Sequence, residues 1–143
     1  MRSMKTFTTE FTVYFEDISP AGKIHLEKLA EWMSMSREKY LKTTCPDYLK
    51  FIDSLIKMFT TNMSIMITGA LSRWTDEIEV TLTSSNIKKV SFEINADFKN
   101  LRSGDIIAKG VQKVAFIDIG NNKFSDIPEN LKNHVIQYER VEK

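Results

Sequence analysis

The stretch Phe15-Glu16-Asp17-Ile18-Ser19-Pro20-Ala21-Gly22 joins two segments of different period, and that change of period decides the fold. Upstream, Phe7, Phe11, Val13 and Phe15 share one parity with polar residues between most of them, which predicts a half-buried strand over 7–15. Inside the stretch, Pro20 and Gly22 interrupt regular backbone, and the short side-chain oxygens of Asp17 and Ser19 suit bonds to nearby amides. Downstream, Leu26, Leu29, Ala30, Met33, Tyr40 and Leu41 recur at helical spacing, which predicts a long helix. Trp32 and Met35 lie off that stripe, so the helix is expected to be contacted on more than one side, as a sheet curling around it would do.

A short second helix is predicted from Pro46 to Lys57, because Thr44 can cap, Pro46 suits a first turn, and Leu49, Ile52, Leu55 and Ile56 share a face. Beyond Met58 the pattern turns to alternation. Strands are predicted over about Met63 to Trp74, through Ile78, Val80 and Leu82, through Val90, Phe92, Ile94, Ala96 and Phe98, and from Ile106 to Asp118. Ser84-Ser85-Asn86 and Arg102-Ser103-Gly104-Asp105 supply turns. Strands joined by short turns make an antiparallel sheet, and an amphipathic helix must bury its stripe against that sheet's apolar face. The class expected is α+β, with an antiparallel five-stranded sheet wrapped around a long central helix. The chain, residues 1–143, is read as one domain with its core at about 7–118 and a C-terminal extension over 119–143. Leu131, Val135, Ile136 and Tyr138 make that extension weakly amphipathic, able to pack back or fray.

With 42% hydrophobic and 27% charged residues, the composition is that of a chain able to bury a core. A net charge of +1, from 20 basic and 19 acidic side chains, gives no field to attract nucleic acid or an anionic membrane. The single cysteine, Cys45, forms no internal disulfide and no cysteine zinc site. No apolar run is long enough to span a bilayer, and the start Met1-Arg2-Ser3-Met4-Lys5-Thr6 lacks the apolar stretch of an export signal. A cytoplasmic protein without a metal is expected; no glycine-rich phosphate loop or His-Glu-x-x-His motif occurs.

The chemistry-bearing residues concentrate between Asp17 and Arg37. At roughly 100° per residue, Arg37 falls in the middle of the stripe made by Leu26, Ala30, Met33 and Tyr40. A guanidinium is always charged and costly to bury, so it demands a carboxylate or an acceptor close by. It is either a structural pair or a group aimed at a ligand. Asp17 and Ser19 precede the helix, where they either cap amides or flank exposed amides that polarise a bound carbonyl. His25 at the helix start can move a proton near neutral pH, although it lacks a partner at a recognisable spacing. Cys45 and His134 belong to no nucleophile motif.

The stretch from Phe15 to Gly22, with the helix through Trp32, resembles the hotdog-fold 4-hydroxybenzoyl-CoA thioesterase family. The likeness runs over roughly Phe7 to Asp118. In that family Phe-x-Asp-x-Asp-Pro-x-Gly leads into the central helix, and the second Asp acts on the thioester as nucleophile or base. Here Asp17 keeps the first Asp, a structural residue in the pattern, and Ser19 stands for the second. The resemblance implies that the backbone amide of Leu26 polarises the thioester carbonyl. A closer likeness is to the hotdog thioesterases of enediyne polyketide biosynthesis, through Gly22, Trp32, Arg37-Glu38, Leu41 and Met58-Phe59-Thr60-Thr61. Those enzymes lack the Asp and use an Asn, a Tyr and an Arg at the positions of Ser19, Leu29 and Arg37. Of that set only Arg37 is kept.

The resemblance implies an acyl thioesterase without a carboxylate base. Ser19, His25, the Leu26 amide and Arg37 would form the catalytic group, and Asp17, Gly22, Leu29, Thr60 and Thr61 would line the substrate. The substrate would be an acyl-CoA or acyl-carrier-protein thioester of a polyketide or fatty chain. Coenzyme A or phosphopantetheine would then enter only as part of the substrate, with no separate cofactor. A homodimer or homotetramer is expected. The rival reading is a non-catalytic hotdog protein that binds an acyl chain or a carrier protein, which the missing Asp favours. A dehydratase or isomerase would need a His with an acid facing the substrate; Glu31 and Glu38 lie roughly 100° or more from the Arg37 stripe.

Overall fold

The computed structural model describes residues 3–4, 6–45, 47, 50 and 54–141. In chain order the elements are β1 (Ser3–Met4), β2 (Phe7–Thr12), a 3-10 turn (Phe15–Asp17), α1 (Leu26–Thr44), β3 (Ile56–Ile67), β4 (Glu77–Ser85) and β5 (Ser91–Asn100). They are followed by β6 (Ile106–Asp118), β7 (Lys123–Phe124), α2 (Glu129–Glu139) and β8 (Arg140–Val141). The main sheet runs β2-β4-β5-β6-β3, antiparallel throughout, with β7 added to β6. It carries α1 on its apolar face, which is the hotdog arrangement.

Alternation sets the two faces of the sheet. Val80 lies opposite Phe98 and Phe98 opposite Ala108, a row turned toward the helix. One residue along, Thr81 lies opposite Asp97 and Asp97 opposite Lys109, facing outward, with Lys109 Nζ 3.4 Å from Asp97 Oδ1. From the helix side, Leu29, Trp32, Met33, Ser36, Tyr40, Leu41 and Thr44 are buried. Trp32, off the predicted stripe, stacks on Phe11 of β2 with ring centroids 5.1 Å apart, so the curled sheet meets α1 on a second side. Leu26, on the stripe, is 50% exposed.

Small residues let the helix come close. Leu82, Ala96, Gly110 and Ile65 form one row across the sheet. A Cβ built on Gly110 would stand 2.6 Å from Met33 Sδ and 3.4 Å from the Ser64 carbonyl oxygen. Gly110→Val is therefore expected to lower the unfolding free energy by about 2–3 kcal/mol, as overpacking does. In urea unfolding, adding Met33→Ala to it should give a loss smaller than the sum of the two single losses, because both changes share one space.

Three boundaries depart from expectation. The first strand stops at Thr12, and the chain enters the 3-10 turn where alternation had suggested more strand. The strand predicted over Met63 to Trp74 spans Ile56–Ile67. Its register shifts between Thr60 and Asn62, a bulge that breaks the parity on which alternation depends. Half of the predicted second helix from Pro46 to Lys57 lies outside the described residues; within the rest Lys50 is helical, and at the far end Ile56 and Lys57 belong to β3. The C-terminal segment packs back: Ile127, Leu131 and Val135 are buried, and α2 lies against α1 and β4. No helix among the described residues is long and apolar enough to cross a membrane.

Candidate active site

The turn before α1 is held together by backbone bonds. Ile18 and Ile24 form an antiparallel bridge, Ser19 N donates to the Lys23 carbonyl at 2.7 Å, and Gly22 N donates to the Ser19 carbonyl at 2.9 Å. Gly22 takes φ +80°, a left-handed conformation in which a side chain is strained. The loop docks onto the chain after β3, with Ser72 N on the Gly22 carbonyl and Lys23 Nζ on the Thr68 carbonyl, both at 2.9 Å.

Asp17 is 4% exposed, and its carboxylate accepts from Tyr14 N at 2.9 Å with Lys28 Nζ at 3.6 Å. Its carbonyl accepts from His25 N at 3.0 Å, which ties the 3-10 turn to the helix start. The Ser19 hydroxyl accepts from Lys23 N at 3.3 Å. Neither residue caps α1, contrary to the simpler sequence expectation. The N-cap is His25, and it makes no side-chain cap bond. The His25 carbonyl accepts from Lys28 N and Leu29 N, the first bonds of the helix. The amides of Leu26 and Glu27 come before those bonds and have no acceptor within the helix, and both residues are exposed. An uncapped helix start with its positive dipole end toward solvent can polarise a bound carbonyl.

Arg37 belongs to a second cluster. Its Nη1 donates to Thr60 Oγ1 on β3 and, at 3.0 Å, to Gln112 Oε1 on β6. Gln112 Nε2 donates to the Met33 carbonyl at 3.4 Å, and Gln112 is fully buried. Thr61 is exposed beside the bulge, where its hydroxyl donates to the Lys113 carbonyl at 3.2 Å. Leu29 is 1% exposed within the core. Asp17, Ser19, Gly22, His25 and Leu26 are thus gathered at the helix start, while Arg37, Thr60 and Thr61 lie farther along. Arg37 follows Leu26 by eleven residues, about 16 Å along the axis. Side chains lean back toward the N-terminus, which still leaves roughly 10 Å between the guanidinium and the first amides. Within one chain the two clusters do not meet.

Gln112 is the residue that sequence reasoning passed over. A signal existed: it stands at an inward parity of β6, between Gly110 and Val114, as a lone polar side chain on an apolar face. Burial pushes the Cys45 thiol up from its ordinary value. His134 lies in α2 and is half-buried. Among the described residues no group of three or more His, Cys, Asp or Glu is arranged to hold a metal.

The family model described as the thioesterase-like superfamily matches residues 13–135. No curated protein sequence matches the chain significantly. Solved structures do match. A hypothetical protein from Staphylococcus aureus in complex with CoA shares 14% identity at a TM-score of 0.84, over 95% of this chain and 85% of that one. The dynemicin thioesterase shares 19% identity at a TM-score of 0.83, over 96% of this chain and 100% of that one. A 1,4-dihydroxy-2-naphthoyl-CoA thioesterase from Synechocystis shares 18% identity at a TM-score of 0.78, over 92% and 96%. At these identities the likeness is one of fold.

Proposed function

The chain belongs to the thioesterase-like superfamily, and on that premise we infer that it hydrolyses an acyl thioester at the start of α1. The observation that carries the reading is the uncapped helix start, with the Leu26 and Glu27 amides beside the Ser19 loop. The thioester carbonyl accepts from these amides, which stabilise the oxyanion as charge develops on it; one such donor lowers a barrier by about 3–4 kcal/mol. Water attacks the carbonyl carbon, the C–S bond breaks, and the proton lost by water ends on the thiol. Ser19 and His25 position the water. Asp17 is not its base, because its carboxylate faces Tyr14 N and Lys28. Arg37 orients the substrate or the water.

A second copy of the chain accounts for the distance between the clusters. The edge of β3 away from β6 has no strand on it among the described residues. Arg37 bonds to Thr60 on that same strand. Two copies paired along β3 would bring the guanidinium of one toward the helix start of the other, which supports a homodimer. Gly22, Trp32, Arg37 and Met58-Phe59-Thr60-Thr61 support an acyl group of polyketide or fatty type. CoA or a carrier protein delivers it as part of the substrate, in the cytoplasm, with no separate cofactor. The similar structures support the same reading: one is a complex with CoA, one is a 1,4-dihydroxy-2-naphthoyl-CoA thioesterase, and the dynemicin thioesterase binds a polyene.

One observation favours a binding protein instead: Ser19 stands where the family pattern has the Asp that acts on the thioester. Release of free thiol from a panel of acyl-CoA and acyl-pantetheine thioesters, followed with a thiol reagent, separates the two. Turnover of at least one medium or long acyl thioester is expected. Tight binding with no turnover on any of them would establish the binding protein.

A further inference from the structure

Gln112 lies in the core beneath α1, in a row with Ile94 on β5 and Met63 on β3. It is fully buried, so each end of its carboxamide destabilises the fold unless bonded. Both ends are bonded to one stretch of α1, since Oε1 accepts from Arg37 Nη1 at 3.0 Å and Nε2 donates to the Met33 carbonyl at 3.4 Å. Met33 precedes Arg37 by four residues, so the carboxamide spans a single helical turn from backbone to side chain. Its orientation is determined by chemistry. Turned over, it would set its NH2 against a guanidinium that only donates and its oxygen against a carbonyl that only accepts.

We propose that Gln112 is a positioning residue for Arg37: the Met33 carbonyl fixes the carboxamide, and the carboxamide with Thr60 fixes the plane in which the guanidinium lies. This rests on the reading of Arg37 as the group that orients substrate or water. Neutrality is part of the role. A carboxylate at the same position would cancel much of the cation's field in a low-dielectric site and would set an oxygen against the Met33 carbonyl.

The test uses the full chain with Gln112→Leu, Gln112→Glu, Arg37→Met and the double variant Arg37→Met with Gln112→Leu. Thioester hydrolysis and the nitrogen-15 NMR signals of the arginine side chains are both read. Gln112→Leu is expected to lower kcat/KM roughly tenfold, mainly in kcat. In the Arg37→Met background the same change should have less than about a twofold effect. Gln112→Glu should lose at least as much activity as Gln112→Leu although it keeps an acceptor toward Arg37. Equal losses in both backgrounds, or full activity in folded Gln112→Leu, would overturn the proposal. In the NMR arm, the signal that disappears in Arg37→Met should show slow guanidinium rotation in the parent chain and averaged rotation in Gln112→Leu. Slow rotation surviving Gln112→Leu overturns the proposal whatever the activity. Its loss in Gln112→Leu, when the parent chain hydrolyses no thioester, supports the positioning role and sinks the enzyme reading. If Gln112→Leu does not fold, Gln112→Asn, one methylene short of Arg37, serves in both arms with the same expectations.

Discussion

Arg37→Ala should reduce kcat/KM for the best acyl thioester by about 100-fold or more, with the loss in kcat. The guanidinium is held by acceptors from two different strands, Thr60 on β3 and Gln112 on β6, so its direction is set before substrate arrives. Arg37→Lys should lose roughly tenfold, because an ammonium keeps the charge but not the planar fork that holds two acceptors at a fixed angle. The alanine variant leaves the Gln112 oxygen unpaired in the core, which lowers stability by about 1–2 kcal/mol and still leaves a folded protein to assay. Steady-state hydrolysis beside a urea unfolding curve separates lost orientation from lost fold. A folded Arg37→Ala protein within about threefold of the parent would show that the residue is only structural.

Arg37 is legible in the sequence because it breaks a periodic pattern. Leu26, Ala30, Met33 and Tyr40 leave a stripe in which a guanidinium is out of place, and a charged group there must find acceptors. The identity of those acceptors is not legible, since Thr60 and Gln112 come from 23 and 75 residues away. The helix and the strands through Ile78 to Leu82 and Phe92 to Phe98 follow from periods that hold along their length. β3 does not follow, because the bulge between Thr60 and Asn62 exchanges the two parities midway along the strand. The predicted helix before β3 runs too far at its end. Leu49, Ile52, Leu55 and Ile56 fit a helical face, yet Ile56 pairs with Asp118 in the sheet. The capping expectation for Asp17 and Ser19 fails on distance, since the helix begins only at Leu26 and the loop intervenes. Short-range oxygens found short-range amides, at Tyr14 and Lys23.

The separation of the two clusters along α1 has a functional consequence. A carbonyl bound at the Leu26 amide would lie about 10 Å from the guanidinium of the same chain, so under the thioesterase reading Arg37 would act either on a distant part of the acyl group or on the site of a second copy. Thr60 ties it to the strand whose outer edge is open to pairing. Under the dimer reading, any change that separates the copies should lower activity even though every residue named here remains in its own chain.

The largest loss of stability is expected from a residue that takes no part in the site. Asp76, 6% exposed, closes the end of the sheet where β4 begins and β5 ends. Its Oδ1 accepts from Arg102 Nε at 2.7 Å. Its Oδ2 accepts from Asn100 Nδ2 at 2.7 Å, Arg73 N at 2.8 Å and Arg102 Nη2 at 3.0 Å. The Arg102 guanidinium first, then Asn100 and the Arg73 amide, hold the carboxyl down at about 2 against the opposing effect of burial. In the unfolded chain the group returns to its ordinary value of 3.8. The folded state therefore gains about 2 kcal/mol from the ionised group. That gain is complete above pH 3.8 and is lost as pH falls through about 2. Asp76→Asn can keep an oxygen facing Asn100, Arg73 N and Arg102 Nη2, but its NH2 then stands against the Arg102 Nε–H, and the charge facing Arg102 is gone. The substitution should lower the unfolding free energy at pH 7 by about 3 kcal/mol in urea unfolding, measured without substrate. Repeating the measurement at pH 5, 3.5 and 2.5 should show the gap between parent and variant unchanged at the first and narrowing at the other two. A gap that stays constant down to pH 2.5 would mean that the Asp76 carboxyl is not held below its ordinary value in the folded chain, and that the hydrogen bonds alone, without the charge, keep this end of the sheet closed.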